Sequence, residues 1–251
     1  MKEKIGNGKT VAVMQPTYLP WLGYFDLIDA VDVFVFLDNV QFGKQTWQQR
    51  NQLMTHNGLE WITVPALIKG RFGQEIKEVE LKDIVFVNKH LKQIAHNYQK
   101  AKEFNRYFTE FSAVFGQAAS HGSLCKLNVA LIKWLCSKFQ ISTQFVMASD
   151  LNLQGKRTEL IVGILKALDS MTYISPRGSG EYITEDFQIF AENEISVFYH
   201  NYVHPEYVQV YKPFTPYASA IDLLFNEGEQ SKAIINSGRA NLISAREVIT
   251  K

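Results

Sequence analysis

The first apolar stretch of the chain is a short unbroken run, Thr10-Val11-Ala12-Val13-Met14. It predicts a strand that stops at Gln15-Pro16, because proline has no N–H for a ladder and restricts the residue before it. A loop, Thr17 to Trp21, follows. From Leu22 the apolar positions Phe25, Leu27, Ile28 and Val31 recur at helical spacing, and Val33-Phe34-Val35-Phe36-Leu37 is again a β-type run. A right-handed crossover through that helix makes the two strands parallel. The first loop then lies at their carboxyl ends, where open α/β sheets bind ligands, so ligand contacts are expected around residues 15–24 and 38–51. Trp61 to Pro65 reads as another strand and Gln74 to Leu81 alternates like a solvent-facing one, with Gly70, Phe72 and Gly73 turning between them.

From Asn88 to Ala118, apolar residues including Leu91, Ile94, Tyr98, Phe104, Phe111 and Phe115 recur every three or four positions, predicting one or two amphipathic helices. A further helix is expected over Leu124 to Phe139. With no strand between them, these helices are expected to form a cap over the sheet, with the pocket between cap and sheet. The βαβ pattern resumes with Thr143 to Met147, a loop containing Asp150 and Gly155, a helix from Arg157 to Leu168, and a strand Met171 to Ser175. Ile195 to Tyr199 is the last expected strand. The predicted fold is α/β, a mainly parallel sheet of about five strands of nucleotide-binding, nucleotidyltransferase-like type. It is assembled from residues 1–87 and 141–251, with a helical insertion over 88–140. No internal repeat is visible.

Composition narrows the function classes. The 251 residues are 46% hydrophobic, 13% aromatic and 20% charged, a globular balance. Lysine and arginine (26) nearly cancel aspartate and glutamate (25), which leaves no field to steer the chain onto nucleic acid and favours a small substrate. The basic N-terminal stretch is interrupted by Gly6 and Gly8 and lacks the apolar core of a signal peptide. The longest apolar-rich run, Val31 to Leu37, is far short of the roughly 20 residues that span a bilayer, so membrane insertion is not expected. Cys125 and Cys136 read as buried core thiols, in keeping with a reducing cytoplasm.

Candidate chemistry concentrates in three loops. Gln15, Pro16, Thr17, Tyr18, Trp21, Gly23 and Tyr24 sit between a strand and a helix, where helix N-terminal amides hold phosphate and Gly23 would permit close approach. The alternative reading is a strand-to-helix turn merely stiffened by Pro16 and Pro20. Nucleotidyltransferase-like folds carry a His-x-Gly-His element there, and both histidines are absent from Pro20-Trp21-Leu22-Gly23-Tyr24. Adenylyl transfer is therefore disfavoured. In the second loop Lys44 and Arg50 can pair with a diphosphate, Trp47 can stack on a base or sugar, and Asp38 and Asn51 offer polar contacts; the alternative is a solvated loop with one satellite aromatic. The third, Arg177-Gly178-Ser179-Gly180, follows a strand and can meet a phosphate or carboxylate. Ser179 lies in no nucleophile elbow. Asp222, in a helix-like run, can cap, hold an arginine or line the pocket.

The run from Gln15 through Phe25 also follows a Gln-Pro-x-Tyr-x-Pro-x-x-Gly-Tyr-Phe pattern, and the sequence resembles the WbqC-like family on that motif. Asp38 to Asn51, Trp61 to Pro65, Lys89-His90, Tyr173 to Tyr182, Tyr202 to Tyr207 and Ile221 to Gly228 extend the likeness over most of the chain. The resemblance implies a cytoplasmic bacterial setting in O-antigen, lipopolysaccharide or related glycan biosynthesis, with dTDP- or UDP-linked amino sugars as substrates. Amide formation on the sugar amine is one task that follows, with an unidentified acyl or aminoacyl donor and no bound cofactor. An ATP-dependent ligase, which would release pyrophosphate, and a noncatalytic nucleotide-sugar-binding protein are the alternatives. His200 and His204 are four apart, but Pro205 argues against the helix that would let them share a metal, and no metal is expected. His204 or His90 would take the proton that an attacking amine loses, and Asp38, counted with them as catalytic, would bind a hydroxyl or ammonium group. Exposed aromatics or the long amphipathic helix can equally serve a homodimer.

Overall fold

Side-chain alternation along the central strands divides the protein into two cores. In the computed structural model, which describes residues 8–176, 178 and 180–249, Val11 and Val13 of β1 (Thr10–Met14) and Val33 and Val35 of β2 (Val33–Phe36) face one side of the sheet. Ala12, Phe34 and Phe36 face the other. This period-2 split is what strands covered on both faces require. The sheet continues through β5 (Gln144–Met147), β6 (Thr172–Pro176), β7 (Ser196–His200) and the short β8 (Ile243–Ser244).

The spatial order is β5-β2-β1-β6-β7-β8, with parallel pairing throughout except for antiparallel β8 on β7. Counting the parallel strands along the chain, the order is third, second, first, fourth, fifth, that of a doubly wound sheet. The mainly parallel α/β prediction is met, with a sixth, antiparallel edge strand added. The order reverses between β1 and β6, so a crevice opens at their carboxyl ends.

On one face, α1 (Leu22–Ala30), α2 (Val85–Tyr98), α3 (Phe104–Ser120), α4 (Leu124–Lys138) and α8 (Ala220–Glu227) build the larger core with Phe34 and Phe36. Phe111 meets Trp134 and Phe225, which joins the helices of residues 88–140 to α8 in one aromatic cluster. On the other face, α5 (Thr158–Ala167) and α7 (Phe187–Glu192) pack Leu160, Ile161, Ile164, Leu165 and Phe190 against Val11, Val35 and Tyr173. The helices α6 (Gly180–Glu185), α9 (Ser231–Ser237) and α10 (Ala245–Ile249) complete the described elements. Cys125 and Cys136 are buried free thiols, and burial pushes the Cys125 thiol up to about 12.

Two expectations are corrected. Arg50 and Asn51, read as part of a polar loop, belong to β3 (Arg50–Thr55), which pairs with β4 (Gly58–Thr63) in a separate antiparallel hairpin. Their segment is polar yet folded inward: Gln48, Gln49 and Asn51 are buried, with their amides bonded to backbone and to each other's loops. Gly58, at φ +93°, makes the tight turn into β4. Gln74 to Leu81 is not a strand but a 3-10 turn at Ile76–Glu78, held by a reciprocal Glu75 and Glu78 capping box. Ile76 and Val79 both point inward, a spacing of three that suits the 3-10 turn and not alternation.

Candidate functional site

The crevice where the strand order reverses is an open cavity of about 680 Å³. That volume suits a small-molecule ligand. Its floor is apolar, from Val13 and Met14 of β1, Leu37 after β2, and Leu160 and Ile161 of α5. Gln15, Thr17, Thr46, Trp47, Gln48, Arg157, Pro176, Gly178 and Glu185 supply the polar and aromatic rim. Among these described lining residues, Arg157 is the cation and Glu185 the carboxylate, and both are exposed. Arg157 directly precedes α5 at φ +49°, so the guanidinium enters at the end of the helix where free N–H groups favour an anion.

The first loop is held by amides rather than by its prolines alone. Asn51 donates to the carbonyls of Tyr18 (3.0 Å) and Leu19 (2.8 Å), and Leu19 itself sits at φ +44°. Asn128 of α4 donates to Pro16 O (3.0 Å) and Gln48 O (2.8 Å), tying the first loop to the second. Gln48 donates to Gln15 Oε1 at 2.7 Å and accepts from the Gly43 N–H at 2.9 Å. Tyr24, buried, donates its hydroxyl to Gln15 O at 3.0 Å. A side chain fixed by this many buried bonds presents its remaining groups to a ligand without further ordering.

Gly23 serves a different approach from the expected one. A Cβ there would lie 2.3 Å from the Trp21 ring, so the glycine makes room for that indole rather than for a phosphate. Trp21 stacks on His204, with centroids 6.0 Å apart and planes at 15°, and meets Tyr202 and Tyr217 edge-on. His204 donates from Nδ1 to Pro205 O at 2.9 Å, while its buried Nε2 has no hydrogen-bond partner. Burial lowers its pKa from the ordinary 6.5.

The other expected catalytic groups are structural in their contacts. His90 is buried, shares a 2.9 Å hydrogen bond with the Tyr18 hydroxyl, and packs on Phe86 and Phe115. Burial pushes its pKa down to about 4, so it is neutral near pH 7. Asp38 is buried and held by Ser149, accepting from its N–H at 2.9 Å and its hydroxyl at 2.7 Å. None of His90, His204 and Asp38 lines the cavity. The cavity also takes no described lining residue from 88–140: it opens on the α5 face, opposite the α2 to α4 layer, and not between sheet and cap.

Of the remaining expected site residues, Gln15, Thr17, Trp47 and Gly178 come together at the rim, and Gly180 begins α6. Pro16, Tyr18 and Asn51 support the rim from behind through the bonds above. Lys44 is exposed outside the lining. Arg177 and Ser179 lie outside the described residues. Arg50 stacks its guanidinium 4.0 Å above the Trp61 ring. Asp222 is buried and accepts from Tyr207 (2.6 Å) and Gln209 (2.9 Å), and burial raises its pKa to about 6.

Arg157, Gln48, Asn128 and Glu185 went unread in the sequence. For Arg157 the signal was present, a basic residue at a helix start after a parallel strand. Gln48 and Asn128 had none, since a buried amide clamp shows only when its carbonyl partners are in place. A buried ion network was also missed: His200 Nε2 donates to Asp26 at 2.7 Å, and Arg239 bridges Asp26 (2.9 Å) and Asp29 (2.8 Å). It locks α1 to the end of β7 and to the segment before β8. Among the described residues, no three His, Cys, Asp or Glu side chains cluster as a metal site, and no helix is long and apolar enough to cross a membrane.

The described loops, strands and helices from Gln15 onward coincide with a known family pattern: the model of the WbqC-like protein family matches residues 15–234. The chain belongs to the WbqC-like protein family. The match takes in the whole cavity rim from Gln15 to Glu185. The chain is also similar to the uncharacterized protein Rv1507c of Mycobacterium tuberculosis (strain ATCC 25618 / H37Rv), 34% identical over 224 residues, which cover 89% of this chain and 96% of that protein. No solved structure matches the chain.

Proposed function

We propose that this WbqC-like protein is a transferase that forms an amide on a nucleotide-linked amino sugar in bacterial surface-glycan biosynthesis, working in the cytoplasm. The observation that carries the reading is the cavity at the switch point, with Arg157 and the start of α5 at one wall and the flat Trp47 ring at the rim. A diphosphate between sugar and nucleoside fits such a wall, since a guanidinium and free helix N–H groups both favour an anion. Thr17, Thr46 and the Gln15 and Gln48 amide pair supply hydrogen bonds that neutral sugar hydroxyls can use.

In the reaction the sugar amine attacks the carbonyl carbon of an acyl or aminoacyl donor. The C–N bond forms, the bond from acyl carbon to leaving group breaks, and the proton lost by nitrogen ends on the leaving group. Glu185, on the rim, is the side chain placed to carry that proton. His90, deep beside Tyr18, is not.

Isothermal titration with UDP- and dTDP-linked amino sugars tests the reading. Binding by the native protein and a loss of tenfold or more in Arg157→Ala are expected, by removal of a charge-assisted contact worth about 1.5–3 kcal/mol. Absence of binding to every such compound, or binding indifferent to Arg157→Ala, would overturn it. A second reading, a binding protein without turnover, is favoured by one observation: no histidine is among the described lining residues. Product formation after mixing with acyl donors separates the two, and pyrophosphate release would identify a ligase instead.

A further inference from the structure

On the outer face of the β3–β4 hairpin, alternation puts Arg50, Trp61 and Thr63 outward while Asn51, Leu53 and Ile62 point into the core. Trp61 is 44% exposed and Trp47, just before the hairpin, is 50% exposed. Their rings meet at 5.1 Å with planes tilted by 41°, and Arg50 lies 4.0 Å over Trp61. Two adjacent, half-exposed indoles are a large apolar area to leave in water, and apolar area of that kind marks a binding surface. Trp47 is also part of the cavity rim, so the surface continues the cavity outward.

We propose that the Trp47–Trp61 pair, with Arg50, is a carbohydrate platform that holds a pyranose ring projecting from the cavity. This deepens the nucleotide-sugar reading by giving the sugar its own site, and it rests on that reading only for the orientation of the bound molecule. A pyranose has apolar C–H faces and polar hydroxyl edges. The C–H faces match exposed indole surface, and the hydroxyls remain in water or reach neighbouring polar groups. The two indoles are in mutual contact and bent by 41°, leaving no parallel slot to sandwich a planar base. The Arg50 guanidinium covers Trp61 from one side and keeps donors at its edge for a hydroxyl or carboxylate on the sugar. Arg50 and Trp61, carried on a hairpin outside the central sheet and outside the cavity lining, can vary without disturbing the cavity, a fit arrangement for choosing among sugars.

The test follows the indole N–H signals of Trp47 and Trp61 by NMR during titration with a methyl glucopyranoside, with UDP or dTDP, and with the corresponding nucleotide sugars. The signals are assigned with Trp47→Phe and Trp61→Phe. Both indoles are expected to move with the pyranoside and the nucleotide sugars, and Trp61 to stay still with UDP or dTDP. Trp61→Ala is expected to weaken nucleotide-sugar binding about tenfold while changing UDP affinity less than about twofold. Movement of both indoles with the pyranoside in a protein that binds no nucleotide would sink the nucleotide reading and leave the platform standing. Nucleotide-sugar binding with Trp61 unmoved, equal weakening of UDP and UDP-sugar by Trp61→Ala, or an effect confined to self-association would overturn the platform.

Discussion

The loop from Gln15 to Trp21 borders two regions of opposite character. On the α5 side, Gln15 and Thr17 open into a cavity with exposed Arg157 and Glu185. On the α1 side, Trp21 closes against His204, Tyr202 and Tyr217. The α5 side is apolar at its floor and polar at its rim, as ligand sites are. The α1 side holds the more conspicuous residue types for chemistry, a histidine among aromatics, yet His204 there is packed and bonded to its neighbour's carbonyl. Residue type therefore ranks the two regions in the reverse order to accessibility. What separates them is which groups are open to a ligand.

The packed region is the more sensitive to substitution. Asp26→Ala removes the fully buried centre of a network whose Arg239 end is part-exposed, and leaves His200 and Arg239 without their shared carboxylate. Breaking a buried pair from one side costs about 3–5 kcal/mol, so urea unfolding should show a midpoint far below that of the native protein. A midpoint within error of native would mean the network does not tie α1 to β7. Gly23→Ala comes next: the added Cβ meets the Trp21 ring, and a loss of about 1–3 kcal/mol is expected from overpacking, read in the same experiment. If Gly23 served a phosphate instead, ligand affinity would fall and stability would hold.

Acid titration sharpens the contrast through His90 and Asp222. With its folded pKa pushed from 6.5 to about 4, His90 binds a proton more readily when unfolded, so its contribution to stability falls as pH drops from 6.5 toward 4. Asp222, raised from 3.8 to about 6, works the other way: its contribution is present below 3.8 and is lost as pH rises through 6. The two oppose each other in one window. His90→Gln should therefore lose less stability on going from pH 7 to pH 4.5 than the native protein, and Asp222→Asn should lose more, by urea unfolding at the two values. Matching pH slopes in all three proteins would contradict both assignments. The smallest effect is expected from His204→Gln on ligand binding, a change under about twofold, since the ring lies outside the cavity.

Most of the sheet was legible because buried parallel strands are short runs of Val, Ile and Phe, as in Val33–Phe36, and because β1 leads into the periodic helix α1. The hairpin was half legible: Trp61 to Pro65 read as a strand, but Arg50 to Thr55 hid behind glutamine and asparagine whose burial depends on carbonyls elsewhere in the fold. The cavity lining followed the same rule. Position after a strand picked out Gln15, Thr17 and Gly178, and an exposed aromatic in a polar loop picked out Trp47. Residue type singled out His90 and Asp38, which lie outside that lining and are buried with partners 72 and 111 positions away that no local pattern shows.

Hydrogen exchange with and without a UDP- or dTDP-linked amino sugar compares the two sides of the loop directly. Added protection is expected at residues 14–17, 46–48 and 157–161, with residues 202–217 unchanged. Protection at 202–217 with 157–161 unchanged would contradict this and place the ligand beside His204.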